Sequence, residues 1–95
     1  MPSAAELRRA VQLIRQYASG KITGLEFHPR YDLKVNGVKI CAYEADAIYT
    51  ENGQFVVEDT KASGNFIEPV AKLKIKLFNA LFSCQGMSVK IHRDG

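Results

Sequence analysis

The stretch AYEADAIYTENGQFVVEDTKAS, Ala42 to Ser63, reads as two strands joined at Asn52-Gly53. An Asn-Gly pair supplies the two positive-φ positions of a tight hairpin turn. Side chains alternate across a strand. Val57, Asp59 and Lys61 therefore share one face of FVVEDTKA, and Val56, Glu58 and Thr60 share the other. In YEADAIY, Glu44, Asp46 and Ile48 share a face, and Tyr43 and Tyr49 fall on the opposite one as packing residues. Pairing the strands through the turn brings Asp46 and Asp59 to similar depth. Two carboxylates and an ammonium thus interrupt runs that a sheet would fill with aliphatic residues. An ion buried in protein carries an effective penalty of several kcal/mol unless something compensates it. A divalent cation compensates acids, and hard oxygen donors suit Mg²⁺ or Mn²⁺. The competing explanation is a strand end opening into solvent, where such a pair is worth about 0–1 kcal/mol.

Working outward from this hairpin, a second Asn-Gly turn at Asn36-Gly37 joins the extended segment ITGLEFHPRYDLKV to a returning strand from Val38 to Thr50. Pro29 marks an edge or bend in that segment. The middle of the chain is expected to be an antiparallel meander of about three strands. Ahead of it, Ser3 to Ala18 reads as a helix. Ser3 and Glu6 have capping-box spacing, and Leu7, Ala10, Val11, Ile14 and Ala18 form one apolar stripe. Gly20 is its stop. After the meander, SGNFIEPVAKLKIKLFNALF reads as a loop and then a helix with Pro69 in its first turn. Its buried stripe is expected to be Val70, Leu73, Leu77, Phe78, Leu81 and Phe82. Gly86 ends it, and SVKIH is a last short strand. The predicted order α-β-β-β-α-β implies an α+β fold: one mixed, mostly antiparallel sheet flanked by helices.

The 95 residues are expected to form one domain, 1–95, able to bury roughly two-thirds of the unfolded surface. The net charge of +3 is compatible with a polyanionic partner and does not require one. No apolar run approaches the ~20 residues of a membrane span, and MPSAAELRRA lacks a signal-peptide core. The expectation is a cytoplasmic protein. Cys41 and Cys84 have no metal-site spacing and read as free thiols. His28 and His92 have no zinc-ligand spacing and read as structural or exposed.

The set formed by Asp46, the Asp59-Thr60-Lys61 run after FVV and a glutamate early in the first helix resembles the PD-(D/E)xK nuclease superfamily. More narrowly, it is similar to a family of small phage-encoded endonucleases. Their Tyr-x-Ala-Asp and Val-Val-Glu-Asp-Val-Lys strands correspond to YEAD, Tyr43 to Asp46, and VVEDTK, Val56 to Lys61. SAAELRR, GKITGLEFHP and KLKIKLF extend the resemblance over almost the whole chain. The chain departs from the family at Ala4 (usually Lys), His28 (usually Gln) and Ala62 (usually Gly), and in its shorter lead before the first helix.

The resemblance implies a restriction-endonuclease-like core and a metal-dependent DNA endonuclease that hydrolyses phosphodiester bonds. Branched DNA such as a Holliday junction is its favoured substrate, and the enzyme acts as a homodimer, in the host cytoplasm if phage-encoded. It further implies that Glu6, Asp46, Asp59 and Lys61 are catalytic, and that Asp46, Asp59 and the Thr60 carbonyl hold Mg²⁺ or Mn²⁺. Lys61 would orient the attacking water or stabilise the developing charge. Lys72, Lys74, Lys76, Arg8 and Arg9 would contact DNA, with Lys74 nearest the active site. Glu58, on the other face, is expected to support the metal ligands from behind or to pair with a helix lysine rather than to be a ligand, and Glu44 to be an accessory acid. The alternative reading is a catalytically degenerate module of the same fold that binds DNA or a protein.

Overall fold

In the computed structural model, which describes residues 3–62 and 68–94, the chain is a mixed α+β fold. Helix α1 spans Ala4–Ala18, followed by β1 Ile22–Phe27, β2 Arg30–Val35, β3 Val38–Glu44, β4 Ala47–Glu51 and β5 Gln54–Ala62. Helix α2 spans Pro69–Phe82, a single 3₁₀ turn covers Ser83–Gln85, and β6 is Val89–Asp94. The expected loop lies at 63–67, outside the described residues.

Both Asn-Gly turns form as the sequence dictates. Asn36 and Gly37 have φ of 52° and 78°, and Asn52 and Gly53 have 52° and 77°. That doubled positive φ matches the right-handed twist of the strands that it joins.

The strand count differs from the expected three. The long hairpin around Asn36-Gly37 is broken halfway on both sides. His28-Pro29 separates β1 from β2, and Ala45-Asp46 separates β3 from β4. Register is continuous across the break, since Phe27 sits opposite Ala47 and Arg30 opposite Glu44. The two breaks face each other. The His28 N–H donates to the Asp46 carbonyl at 3.0 Å, and the Ala45 N–H donates to the Pro29 carbonyl at 3.1 Å. His28 turns the chain through a φ of 57°, a region that His enters more readily than most side chains. Pro29 lacks an N–H and cannot continue a ladder. The hairpin therefore divides into an inner half within a four-stranded sheet, β1-β4-β5-β6, and an outer two-stranded ribbon, β2-β3.

Along the four-stranded sheet alone, the element order is α1-β1-β4-β5-α2-β6, the α-β-β-β-α-β series read from the sequence. Its pairs are antiparallel except β5 and β6, which run parallel through the α2 crossover. β5 is central and covered on both faces. Helix α1 packs on one face against β1 and β5, and α2 lies against β2, β3 and β6. The core divides accordingly. Leu13, Ile22, Ala47 and Tyr49 pack on the α1 side with Val56. Leu33, Tyr43, Ala45, Ile48, Val57 and Phe78 pack on the α2 side.

One helix stripe comes out rotated from its expected face, and the other holds over part of its length. α1 buries Ala5 and Leu13, and its stripe residues Leu7, Val11 and Ile14 are 54%, 47% and 51% exposed. The cause is Arg9, one turn from each buried residue, which is held inward by an ion pair with Glu58. In α2 the stripe holds in the second half, where Phe78 is buried and Leu77, Leu81 and Phe82 pack around it. Val70 and Leu73, in the first half, are exposed.

Candidate active site

Asp46 is placed by the break between β3 and β4. Strand β4 starts at Ala47, opposite Glu58, so beyond Glu58 this edge of β5 has no partner strand. The chain at Asp46 supplies what the missing strand would. Its N–H donates to the Glu58 carbonyl at 3.1 Å, and its Oδ2 accepts the Thr60 N–H at 2.7 Å. This fixes the Asp46 carboxylate against the outer end of β5, beside Asp59.

Asp59 is buried, on the same face of β5 as Val57. Its Oδ2 accepts a hydrogen bond from the Tyr43 hydroxyl at 3.2 Å and lies 3.8 Å from the Lys61 ammonium. Its pKa is pushed up from 3.8 to about 7. Burial is the largest cause. Next comes the adjoining Asp46 carboxylate, which repels a second negative charge and accepts a hydrogen bond from the protonated form. Lys61 and Tyr43 pull in the opposite direction and do not prevail. Like charges that share a site cannot both ionise easily.

These groups open onto one concavity of about 430 Å³. Its wall includes Glu6 from the first turn of α1, Asp46 from the strand break, and Asp59 and Lys61 from β5. Tyr43, Glu44 and Arg30 come from the base of the ribbon, and Glu68 and Lys74 from the start of α2. Glu6 owes its place to the helix start, where the Ser3 hydroxyl caps α1 by accepting the Glu6 N–H at 3.2 Å. The four residues expected to be catalytic thus line a single cavity. A smaller one of about 120 Å³ reaches Asp46 and Thr60 from the α1 side, between Leu7, Leu13 and Phe27.

The donor set suits a hard cation, since Mg²⁺ is usually held by one or two carboxylates with water completing the shell. Asp46 and Asp59 form such a pair. Among the described residues, no three His, Cys, Asp or Glu side chains come together at ligand spacing, so Glu6 lines the cavity without joining the pair. The Thr60 N–H is occupied by Asp46.

The other expected contacts divide. Lys74 lines the carboxylate cavity, and Lys72 and Lys76 flank Pro69 and Leu73 on a separate part of the helix surface. Arg8 is exposed on α1. Arg9 faces inward. Its Nε and Nη2 donate to Glu58 Oε2 and Oε1 at 2.8 and 2.9 Å, and the Tyr49 hydroxyl donates to Oε1 at 2.8 Å. The helix partner of Glu58 is therefore an arginine of α1 rather than a lysine. Burial raises the Glu58 pKa, but hydrogen bonds from Arg9 and Tyr49 outweigh it and leave the carboxyl below its ordinary value. His28 is exposed, and His92 is half-buried opposite Thr60 in the parallel ladder. Cys41 and Cys84 are free thiols.

Sequence reading missed Tyr43 and Arg30. Unbroken alternation puts Tyr43 on the face opposite Asp46. The break at Ala45-Asp46 resets that alternation, so the Tyr43 hydroxyl reaches Asp59. The available signal was HPR at His28 to Arg30, where a proline interrupts a long hairpin arm. No helix among the described residues is long and apolar enough to cross a membrane. The chain matches no protein-family model, no curated protein and no solved structure.

Proposed function

We propose that the protein is a metal-dependent DNA endonuclease of the PD-(D/E)xK type. The observation that carries this reading is the convergence of Glu6, Asp46, Asp59 and Lys61 on one cavity, with Asp59 held beside Asp46 at the expense of its own ionisation. A fold gains no stability from a carboxyl pushed toward neutrality, whereas a site that binds Mg²⁺ needs such a pair.

Asp46 and Asp59 are the groups that would hold the cation. Bound there, Mg²⁺ or Mn²⁺ supplies Lewis-acid polarisation of a phosphate oxygen and acidifies a water. The Thr60 N–H fixes one Asp46 oxygen, and the Tyr43 hydroxyl fixes the rotation of the Asp59 carboxyl. Lys61, about a quarter exposed and beside Asp59, extends toward the phosphate and stabilises its developing charge. Glu6, across the cavity, orients the attacking water. Hydrolysis then adds that water's oxygen to phosphorus and breaks one P–O ester bond, and the leaving oxygen takes up a proton. Lys74 meets the DNA backbone at the cavity rim.

Branched DNA is the proposed substrate, and a homodimer the proposed assembly, because resolving a junction cuts two strands and each chain carries one such cavity among its described residues. The exposed Leu7, Val11 and Ile14 stripe, continued by Tyr17, supports a second copy docking along α1.

The test is cleavage of supercoiled plasmid and of a synthetic four-way junction, with Mg²⁺ or Mn²⁺ against EDTA. Metal-dependent cutting that falls on the order of 10²-fold or more in Lys61→Ala is expected. DNA binding without cutting at any metal concentration would instead establish the non-catalytic module.

A further inference from the structure

The β2–β3 ribbon leaves the sheet at Asp46 and has one committed face. Leu33 and Tyr43 are buried there, and Tyr31 packs edge-on against Phe78 of α2 with ring centroids 5.1 Å apart. The other face is open. Alternation puts Arg30, Asp32 and Lys34 of β2 on it, opposite Glu44, Ala42 and Lys39 of β3, with a shift of register between Leu33 and Lys34 that brings Lys39 rather than Ile40 opposite Lys34. Arg30, Ala42 and Glu44 also line the carboxylate cavity, so the open face continues the cavity wall outward.

At its outer end Lys34 stands directly opposite Lys39. Like charges opposed across an antiparallel pair destabilise it. The offset is small: Asp32 lies 3.4 Å from Lys39, with both side chains about half exposed. The paired lysines weaken a free ribbon, and a polyanion laid along them removes the repulsion.

We infer that the open face of the β2–β3 ribbon is a DNA-contact surface that starts at the cavity of Asp46 and Asp59 and reaches about four base pairs along the duplex from Arg30. Arg30 is its inner contact and the Lys34–Lys39 pair its outer one. This rests on the nuclease reading. Four strand residues separate Arg30 from Lys34, about 13 Å at ~3.3 Å per residue. At ~3.4 Å per base pair that is about four steps along a duplex. A two-stranded ribbon also fits the width of a DNA major groove.

Anisotropy of a fluorescent four-way junction, measured without divalent metal across a salt series, tests this with Lys34→Gln/Lys39→Gln. On a junction with long arms, the double variant is expected to bind on the order of tenfold more weakly at ~0.1 M salt. The slope of log affinity against log salt should fall by about 1.8, two phosphates' worth. On a junction whose arms are cut to a few base pairs, both proteins should bind alike. An unchanged slope on long arms overturns the inference, as does an equal loss on both junctions. Parallel plasmid cleavage with Mg²⁺ separates the two ideas. If the wild type cuts and the slope is unchanged, the ribbon surface alone falls. If the wild type neither binds nor cuts, the nuclease reading falls and takes the ribbon with it.

Discussion

Glu58 and Asp59 are neighbours on one strand, both buried, and they have been solved in opposite ways. Glu58 faces α1, where a bidentate arginine and a tyrosine hydroxyl occupy its oxygens at 2.8–2.9 Å and hold its pKa down. Asp59 faces the cavity, where its contacts are a 3.2 Å hydroxyl and a 3.8 Å ammonium, and a second carboxylate pushes its pKa up to about 7. Glu58 and its partners carry balanced charge and lock α1 to β5. That lock also holds Glu6, three residues before Arg9 and on the same helix, at the cavity. Asp59 carries a charge that the fold opposes. The contrast separates an acid whose charge the fold balances from one whose charge it opposes.

The largest effect expected from this contrast is on stability. Arg9→Ala leaves a fully buried carboxylate without its cation, and breaking such a pair costs about 3–5 kcal/mol. Asp59→Asn removes the charge that the fold resists and should be neutral or stabilising in metal-free protein. Urea unfolding of both variants checks the pair. Equal losses would erase the distinction between the two acids.

Much of this was legible in the sequence. The two Asn-Gly turns gave both hairpins, and alternation along FVVEDTKA sorted Glu58 and Asp59 onto opposite faces, where Val56 and Val57 indeed join different clusters. Local rules failed where a distant residue decided the outcome. Nothing near Arg9 says that its partner is Glu58, 49 positions away, and that pairing rotates α1 until Leu7 and Val11 face outward. The strand break at Ala45-Asp46 depends on His28-Pro29, which faces it from a different segment. Tyr43 reaches Asp59 because of that break, so its role could not be read from its own strand.

A second effect is in pH dependence, and the two acids should give it opposite signs. Asp59 binds a proton more tightly folded than unfolded, so its contribution is fully present below pH ~4. It is lost as pH rises toward its folded value of about 7. The loss is on the order of 4 kcal/mol. Glu58 contributes above its ordinary carboxylate range, and that contribution is lost only as pH falls below it. Metal-free protein should therefore lose thermal stability between pH 4 and 7, and Asp59→Asn should flatten that slope. Mg²⁺ should restore stability at pH 8 and do little at pH 5, where protons compete for the same oxygens. A slope that survives in Asp59→Asn assigns the titration to another group.

The smallest effect belongs to the two tyrosines, whose hydroxyls touch one acid each. Tyr49→Phe removes a 2.8 Å bond to a buried carboxylate that remains charged, and a hydrogen bond of that kind is worth about 1.5–3 kcal/mol. Tyr43→Phe removes a 3.2 Å bond to a carboxyl that is about half protonated near neutral pH, which should change stability by less than ~1 kcal/mol. Its consequence should appear elsewhere. The Tyr43 hydroxyl helps to hold the Asp59 pKa down, so without it the pH midpoint for Mg²⁺ binding should move upward. Calorimetric titration with Mg²⁺ over a pH series, run beside denaturation of each variant, reads both quantities. If Tyr43→Phe is the more destabilising of the two and leaves the midpoint in place, Tyr43 is a packing residue like its counterpart, and the asymmetry between the faces of β5 reduces to the acids alone.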